Sequence, residues 1–171
     1  MKLENLECGR ILAPHGVRGA VRIETWCDSP AVAAALPSLY LRGKDGQYTG
    51  RRLLHASVHK GGLLATMEGL TSPEEAATLR GTVVYARRAD LDPEGKRVFL
   101  AEVTGLAVLH AETGEELGRV REVDTSRKTT LYVIDTPRGE VLLPDVPEFI
   151  KEIDIERGLF VLPIPGMFDE I

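Results

Sequence analysis

"ILAPHGVRGAVRIETW", Ile11 to Trp26, is the stretch on which the reading of this chain turns. A proline, a histidine and two glycines separate two apolar runs, and Arg18 and Arg22 add positive charge. Such a segment fits a phosphate-gripping loop, a catalytic histidine site or a sharp turn between strands. The residues after Gly19 discriminate among these. Val21, Ile23 and Thr25 alternate with Arg22, Glu24 and Trp26, and a period of two marks a half-buried strand. A nucleotide cradle needs backbone N–H groups at the start of a helix, and neither G-x-x-x-x-G-K-[ST] nor G-x-G-x-x-G followed by a helix occurs here. A catalytic His15 would need a nucleophile and a positioned partner, but the chain has no G-x-S-x-G and no H-E-x-x-H. His55 and His59 are four apart in a strand context, where that spacing does not join their side chains. The segment therefore reads as a tight β-turn. Pro14 fixes φ on entry, and Gly16 and Gly19 supply conformations that other residues resist. The turn holds His15 and Arg18 outward with Arg10 and Arg22 near, a basic patch suited either to phosphate or simply to solvent.

Outward from this turn, strand signals dominate. "CGRILA", "AVRIETW", "SLYLR", "RRLLHASVHK", "LLATME" and "VVYAR" are short runs separated by turns such as Asp45-Gly46 and Gly61-Gly62, which predicts an antiparallel barrel. One helix is marked clearly. In "TSPEEAATLRG", Ser72 is the N-cap, Pro73 the first helical residue and Glu75 the third residue of a capping box, with Gly81 placed to end the helix. Ala76 and Leu79 share a face that can cover a barrel end, and "SPAVAAALP" predicts a second short helical turn. The polar "RRADLDPEGKR" reads as a linker. Strands then restart with "GLAVLH", "LGRVREVD", "TLYVIDT", "RGEVLLPD" and "GLFVLPI", a second small β-barrel. The expected organisation is a first domain over residues 1–88, a linker over 89–97 and a second domain over 98–171.

Composition narrows the function classes. A chain of 171 residues with 43% hydrophobic content suits one mid-sized domain or two small ones. No apolar run approaches the roughly 20 residues that span a bilayer, and the N-terminus has no apolar signal core, so a cytoplasmic protein without membrane contact is expected. Cys8 and Cys27 have no metal-site spacing and read as two buried reduced thiols. No cofactor and no metal are expected. Residues 1–88 hold 12 Lys+Arg against 8 Asp+Glu, a net +4, whereas residues 89–171 hold 9 against 18, a net −9. That asymmetry suggests two domains with different partners. Aromatic content is only 5% with no run of rings, so nucleic-acid contact is expected through phosphate and shape, without base readout.

Three segments together resemble the RimM family of bacterial ribosome maturation factors. "CGRILAPHGVRGAVRI" (Cys8–Ile23) is similar to its opening signature, "MEGLTSPEEAATLRGTVVYARRADL" (Met67–Leu91) to its middle segment, and "EVLLPDVPEFIKEIDIERGLFVLPIPGMFDE" (Glu140–Glu170) to its closing barrel. The resemblance spans nearly the whole chain in the right order. It implies a mainly β protein with an N-terminal six-stranded barrel, like the second domain of translation elongation factors, and a C-terminal PRC-type barrel. It implies a non-enzymatic monomer that binds the nineteenth protein of the small ribosomal subunit. It further implies association with the free 30S subunit, help in assembling its head and in processing its rRNA. Arg10, His15, Arg18 and Arg22 would then face small-subunit rRNA phosphates or the ribosome. The family's aromatic cluster at the start of the second barrel reads Val98, Phe99 and Leu100 here, so these three carry the expected protein contact: Phe99 is an anchor if exposed and a core residue if buried. The family's Asn-Asp before a later strand reads Thr129 and Thr130.

Overall fold

The opening turn joins β1 (Asn5–His15) to β2 (Ala20–Thr25), an antiparallel pair with Pro14 opposite Val21 and His15 opposite Ala20. The computed structural model describes residues 2–168. A bulge between Ile11 and Ala13 breaks the β1–β2 register, and the earlier part of β1 pairs on its other side with the last strand of the barrel. Next come α1 (Pro30–Ala34), β3 (Ser38–Arg42), β4 (Tyr48–His59), β5 (Gly62–Met67), α2 (Pro73–Thr78), β6 (Val83–Arg87) and the helical turn α3 (Arg88–Leu91). The strands close into a barrel in the order β1-β2-β5-β4-β3-β6. Alternation fills it: Val21, Ile23, Leu63, Ala65 and Met67 point inward with Ile11, Leu39 and Val84, and their neighbours along each strand face outward.

Both predicted helices form. Ser29 Oγ accepts the N–H of Val32 at 3.4 Å, Pro30 opens α1, and Ala33 joins the barrel core. Ser72 Oγ accepts the N–H of Glu75 at 3.2 Å and Ala76 is fully buried. The reciprocal bond of the capping box is shifted by one residue, because Glu75 Oε2 accepts the N–H of Thr71 at 3.0 Å. The helix stops at Thr78, before Gly81. Gly81 instead donates its N–H to Ile11 O at 2.7 Å and ties the following turn to β1. The β4–β5 hairpin also differs from expectation. Its central residues are Lys60 and Gly61, with φ of 47° and 78°, while His59 pairs with Gly62. Two successive positive φ values match the strand twist, which places the turn one residue earlier than Gly61-Gly62.

The predicted linker starts inside the first unit. Arg88 donates its N–H to Glu4 O at 2.8 Å, Leu91 packs on the first core and Asp92 is buried. The chain divides between Gly95 and Lys96, with Glu4–Gly95 as one compact unit. The polar composition of 89–97 hid the one large apolar side chain, Leu91, that holds this turn to the barrel.

The second unit runs from Lys96 onward and includes Leu3. It comprises α4 (Leu100–Val103), β7 (Ala107–His110), β8 (Glu116–Asp124), β9 (Leu131–Thr136), β10 (Gly139–Pro144), β11 (Ile150–Asp154) and β12 (Gly158–Val161). The sheet order is β10-β9-β8-β7-β12-β11, antiparallel except for the parallel β12–β7 pair. Val103, Val108, Val120, Tyr132, Ile134, Leu143, Leu159 and Val161 form its core. Tyr132 brings a polar ring into that core, and its hydroxyl donates to Asp145 Oδ2 at 2.9 Å. Burial and that carboxylate together push the phenol well above its ordinary range. Two elements were not visible in the sequence pattern: α4, a single turn, and β11, whose alternation is broken by a bulge between Ile150 and Glu152. Thr129 and Thr130 precede β9, and Thr130 O accepts the N–H of Asp145 at 2.8 Å.

Neither cysteine is in a disulfide; Cys8 is buried and Cys27 half-buried. The hydrogen bond with Cys27 and burial raise the Cys8 pKa far above neutrality, so it carries no nucleophilic thiolate.

Candidate functional site

The turn of residues 16–19 is built as the glycines require. Gly16 and Gly19 have φ of 69° and 79°, a region L side chains resist. The two are not equivalent. Space around Gly16 is open, whereas a Cβ at Gly19 would stand 2.6 Å from Leu70 O and 2.9 Å from Ser72 N. Gly19 is thus the point where the β1–β2 turn lies directly on the N-cap of α2. The two sequence motifs, far apart in the chain, make one packed corner. Val17, 82% exposed, and Arg18 stand at its tip.

The four residues expected to meet rRNA all face solvent, but they do not make one uniform patch. His15 closes β1, with its ring 6.0 Å from that of His59. Arg18 is in the turn. Arg22 lies opposite Ala13 on β1 and Leu64 on β5. Arg10 lies opposite Glu24 on one side and Val83 on the other, and its guanidinium sits 5.3 Å from the centre of the exposed Trp26 ring. Glu24 is two residues from Arg22 on the same strand, so a carboxylate interrupts the row of cations. Pro14 lies within the strand ladder and shapes the approach to the turn.

In the second unit, Phe99 is neither a free anchor nor a core residue. It is half-buried as the N-cap of α4, and the Arg97 guanidinium lies 5.0 Å from its ring centre. Val98 and Leu100 flank it, 37% and 43% exposed. Beneath them is a group the sequence did not announce, the 3% exposed Glu102. Its Oε2 accepts the N–H of Phe99 at 3.2 Å and its Oε1 accepts the N–H of Leu3 at 3.0 Å. A buried carboxylate that gathers two backbone donors fixes the segment carrying Val98 to Leu100. The Glu three residues after Phe99 was the available signal, obscured because Phe has no capping oxygen.

The acidic surplus of this unit is organised only in part. Arg121 on β8 bridges Asp135 on β9 at 3.0 Å and Glu140 on β10, and both carboxylates raise its pKa. Asp124 accepts from Ser126, and Asp154 accepts the N–H groups of Glu156 and Arg157, so each titrates below its usual range. Among the described residues no group of three or more His, Cys, Asp or Glu is placed to hold a metal ion.

The fold and these sites define a class: a mainly β, two-unit protein whose distinctive side chains sit on outer strand faces, a turn tip and a one-turn helix. The chain matches the model of the RimM N-terminal domain over residues 6–91 and that of the RimM PRC barrel domain over residues 101–168. It belongs to the RimM family. A relative from Symbiobacterium thermophilum, a ribosome maturation factor by name, is 36% identical and the match covers 96% of this chain and 95% of the relative. One from Salinispora tropica with the same name is 35% identical, covering 94% and 97%. Neither name denotes an enzymatic activity. A solved structure from Pseudomonas aeruginosa, described as a 16S ribosomal RNA processing protein RimM, superposes with a TM-score of 0.46 at 24% identity, covering 93% of this chain and 97% of that one. The N-terminal domain of RimM from Thermus thermophilus gives 0.43 at 27% identity over 52% of this chain and 95% of its own. Family membership rests on the sequence matches. No helix among the described residues is long and apolar enough to cross a membrane.

Proposed function

We propose that this chain is a non-enzymatic maturation factor of the small ribosomal subunit, working in the cytoplasm as a monomer that binds the free 30S subunit and leaves it before translation. The observation that carries the reading is the match of both family domains, in order, with a ribosome maturation factor 36% identical over 96% of the chain. The first unit lies against small-subunit rRNA through Arg10, His15, Arg18 and Arg22. The second unit takes the nineteenth small-subunit protein through Val98, Phe99 and Leu100, and so assists assembly of the head and rRNA processing. Charge supports the second assignment. Ribosomal proteins are basic as a class, and residues 96–171, with 9 Lys+Arg against 15 Asp+Glu (a net −6), would speed their encounter with this unit.

The test is fractionation of a lysate from cells expressing the full chain. Co-sedimentation with free small subunits and absence from whole ribosomes is the expected result. Equal presence in both fractions, or in neither, would sink the proposal. Incubation of the purified chain with precursor rRNA should leave the RNA uncut, and cleavage by the chain alone would reject the non-enzymatic reading.

A further inference from the structure

The chain has four tyrosines, and its fold brings three of them to the outside of the first barrel. Tyr40 on β3 lies directly across from Tyr85 on β6. Tyr48 on β4 meets Tyr85 edge to face, ring centres 5.0 Å apart at 76°. Tyr40 lies flat across the neighbouring strand, because a Cβ at Gly50 would stand 2.7 Å from its Cε1. All three rings are half-buried, held by the sheet beneath and open to solvent in part. Two arginines stack among them. Arg87 lies 4.9 Å from the Tyr40 ring centre, and Arg42 lies 6.0 Å from that of Tyr48 and borders the same recess as Tyr85.

A recess of about 350 Å³ opens beside the rings. Arg42, Lys44, Thr82 and Tyr85 line it with the backbone of Gly43 and Gly46, and among the described residues no carboxylate does. The nearby Asp45 is turned back onto the N–H of Gln47 at 3.0 Å. Glu7, 3.5 Å from the Tyr85 hydroxyl, marks the far edge. Val83, which also lines the recess, is the cross-strand partner of Arg10. Rings fixed by a sheet, guanidinium planes stacked on them and a cationic hollow alongside are the parts that hold an unpaired nucleotide: a base stacks on a ring and its phosphate enters the hollow. A duplex hides its base faces and would use only the cations. A protein partner would be drawn by exposed aliphatic side chains, and those of this unit stand elsewhere: Val17 in the opening turn, Leu54 and Val58 six and ten residues along β4 from Tyr48.

We infer that the outer face made by Tyr40, Tyr48, Tyr85, Arg42 and Arg87 is a stacking platform for single-stranded RNA. The inference deepens the proposed function and rests on the reading that the first unit meets rRNA. It replaces the expectation of contact through phosphate and shape alone.

The experiment is fluorescence anisotropy on the full chain with three labelled probes: a short oligouridylate, an abasic strand of equal length and an RNA hairpin duplex. The oligouridylate should bind about tenfold more tightly than the abasic strand, since stacking strengthens binding by about this factor per base. Tyr40→Leu and Tyr48→Leu should each remove about tenfold for the oligouridylate and leave duplex binding unchanged, while Tyr48→Phe keeps the ring and the affinity. Arg42→Gln should weaken the oligouridylate and the abasic strand alike. Equal affinity of the wild-type chain for oligouridylate and abasic strand overturns the inference and needs no variant, so loss of folding in a mutant does not protect it. Folded Tyr→Leu variants that bind oligouridylate normally but lose the ribosomal protein also overturn it, because the face would then be a protein-docking surface. Loss of co-sedimentation with small subunits, with oligouridylate binding intact, would fall on the proposed function and not on this platform.

Discussion

Gly19→Ala is the perturbation that most directly probes how the opening turn is built. Two terms apply to either turn glycine. An L residue at positive φ costs about 1–2 kcal/mol, and replacing glycine returns about 0.4–1 kcal/mol by restricting the unfolded chain. Gly16→Ala meets nothing else, since the space beside it is open. Gly19→Ala also drives a Cβ to 2.6 Å from Leu70 O and 2.9 Å from Ser72 N, which are backbone atoms that cannot rotate away. Relief requires α2 to move from β1, and overpacking of this kind costs about 1–3 kcal/mol. Gly19→Ala should therefore destabilise the first unit by about 2 kcal/mol more than Gly16→Ala, a further drop of about 10 °C in its Tm. The chain's one tryptophan, Trp26, lies in this unit, so emission excited selectively at tryptophan follows its unfolding without the second unit. Equal melting of the two variants would refute the packed corner and return Gly19 to a purely conformational role.

Trypsin should cut first at Lys96 or Arg97, exposed at the division between the units, and leave two folded fragments; a first cut within either barrel would contradict the division. Glu102→Ala should destabilise the second unit by about 2 kcal/mol, because the N–H groups of Phe99 and Leu3 lose their acceptor; a change below about 0.5 kcal/mol in its unfolding would count against that role. Phe99→Ala should raise the off-rate for the nineteenth small-subunit protein without unfolding the sheet, and the on-rate should fall with added salt; a salt-independent on-rate would remove the charge argument. Asp124 and Asp154 have folded-state pKa values below the ordinary 3.8, so the stability they add is present above that pH and is lost as pH falls through and below it. Protection of the β12 amides, taken as exchange relative to the intrinsic rate at each pH, should fall on acidification below about pH 4, less steeply in Asp154→Asn, and a slope unchanged by that substitution would reject the assignment.

Much of this protein was legible as sequence because its information is local. Alternation of two wrote the strands, Ser72-Pro73 wrote the start of α2, and Gly16 and Gly19 wrote a turn, since each reports a backbone preference within a few residues. Errors arose where a neighbour distant in sequence intervened. Leu91 docks into the barrel and draws α3 out of the supposed linker, and Glu102 finds the N–H of Leu3, 99 positions away in the chain. Alone, the amino-acid order determined a mainly β chain of two parts and the family; the opposite charge it suggested for the parts does not survive the fold, because Asp90, Asp92 and Glu94 belong to the first unit, where 11 Lys+Arg then meet 11 Asp+Glu. It was silent on which outward side chains meet. Tyr40, Tyr48 and Tyr85 are scattered along 46 residues as single rings, and only closure of β3, β4 and β6 into one wall brings them together with Arg42 and Arg87. Likewise, nothing in the order separates Gly16 from Gly19; the difference is a backbone carbonyl 2.6 Å away, supplied by the segment between β5 and α2.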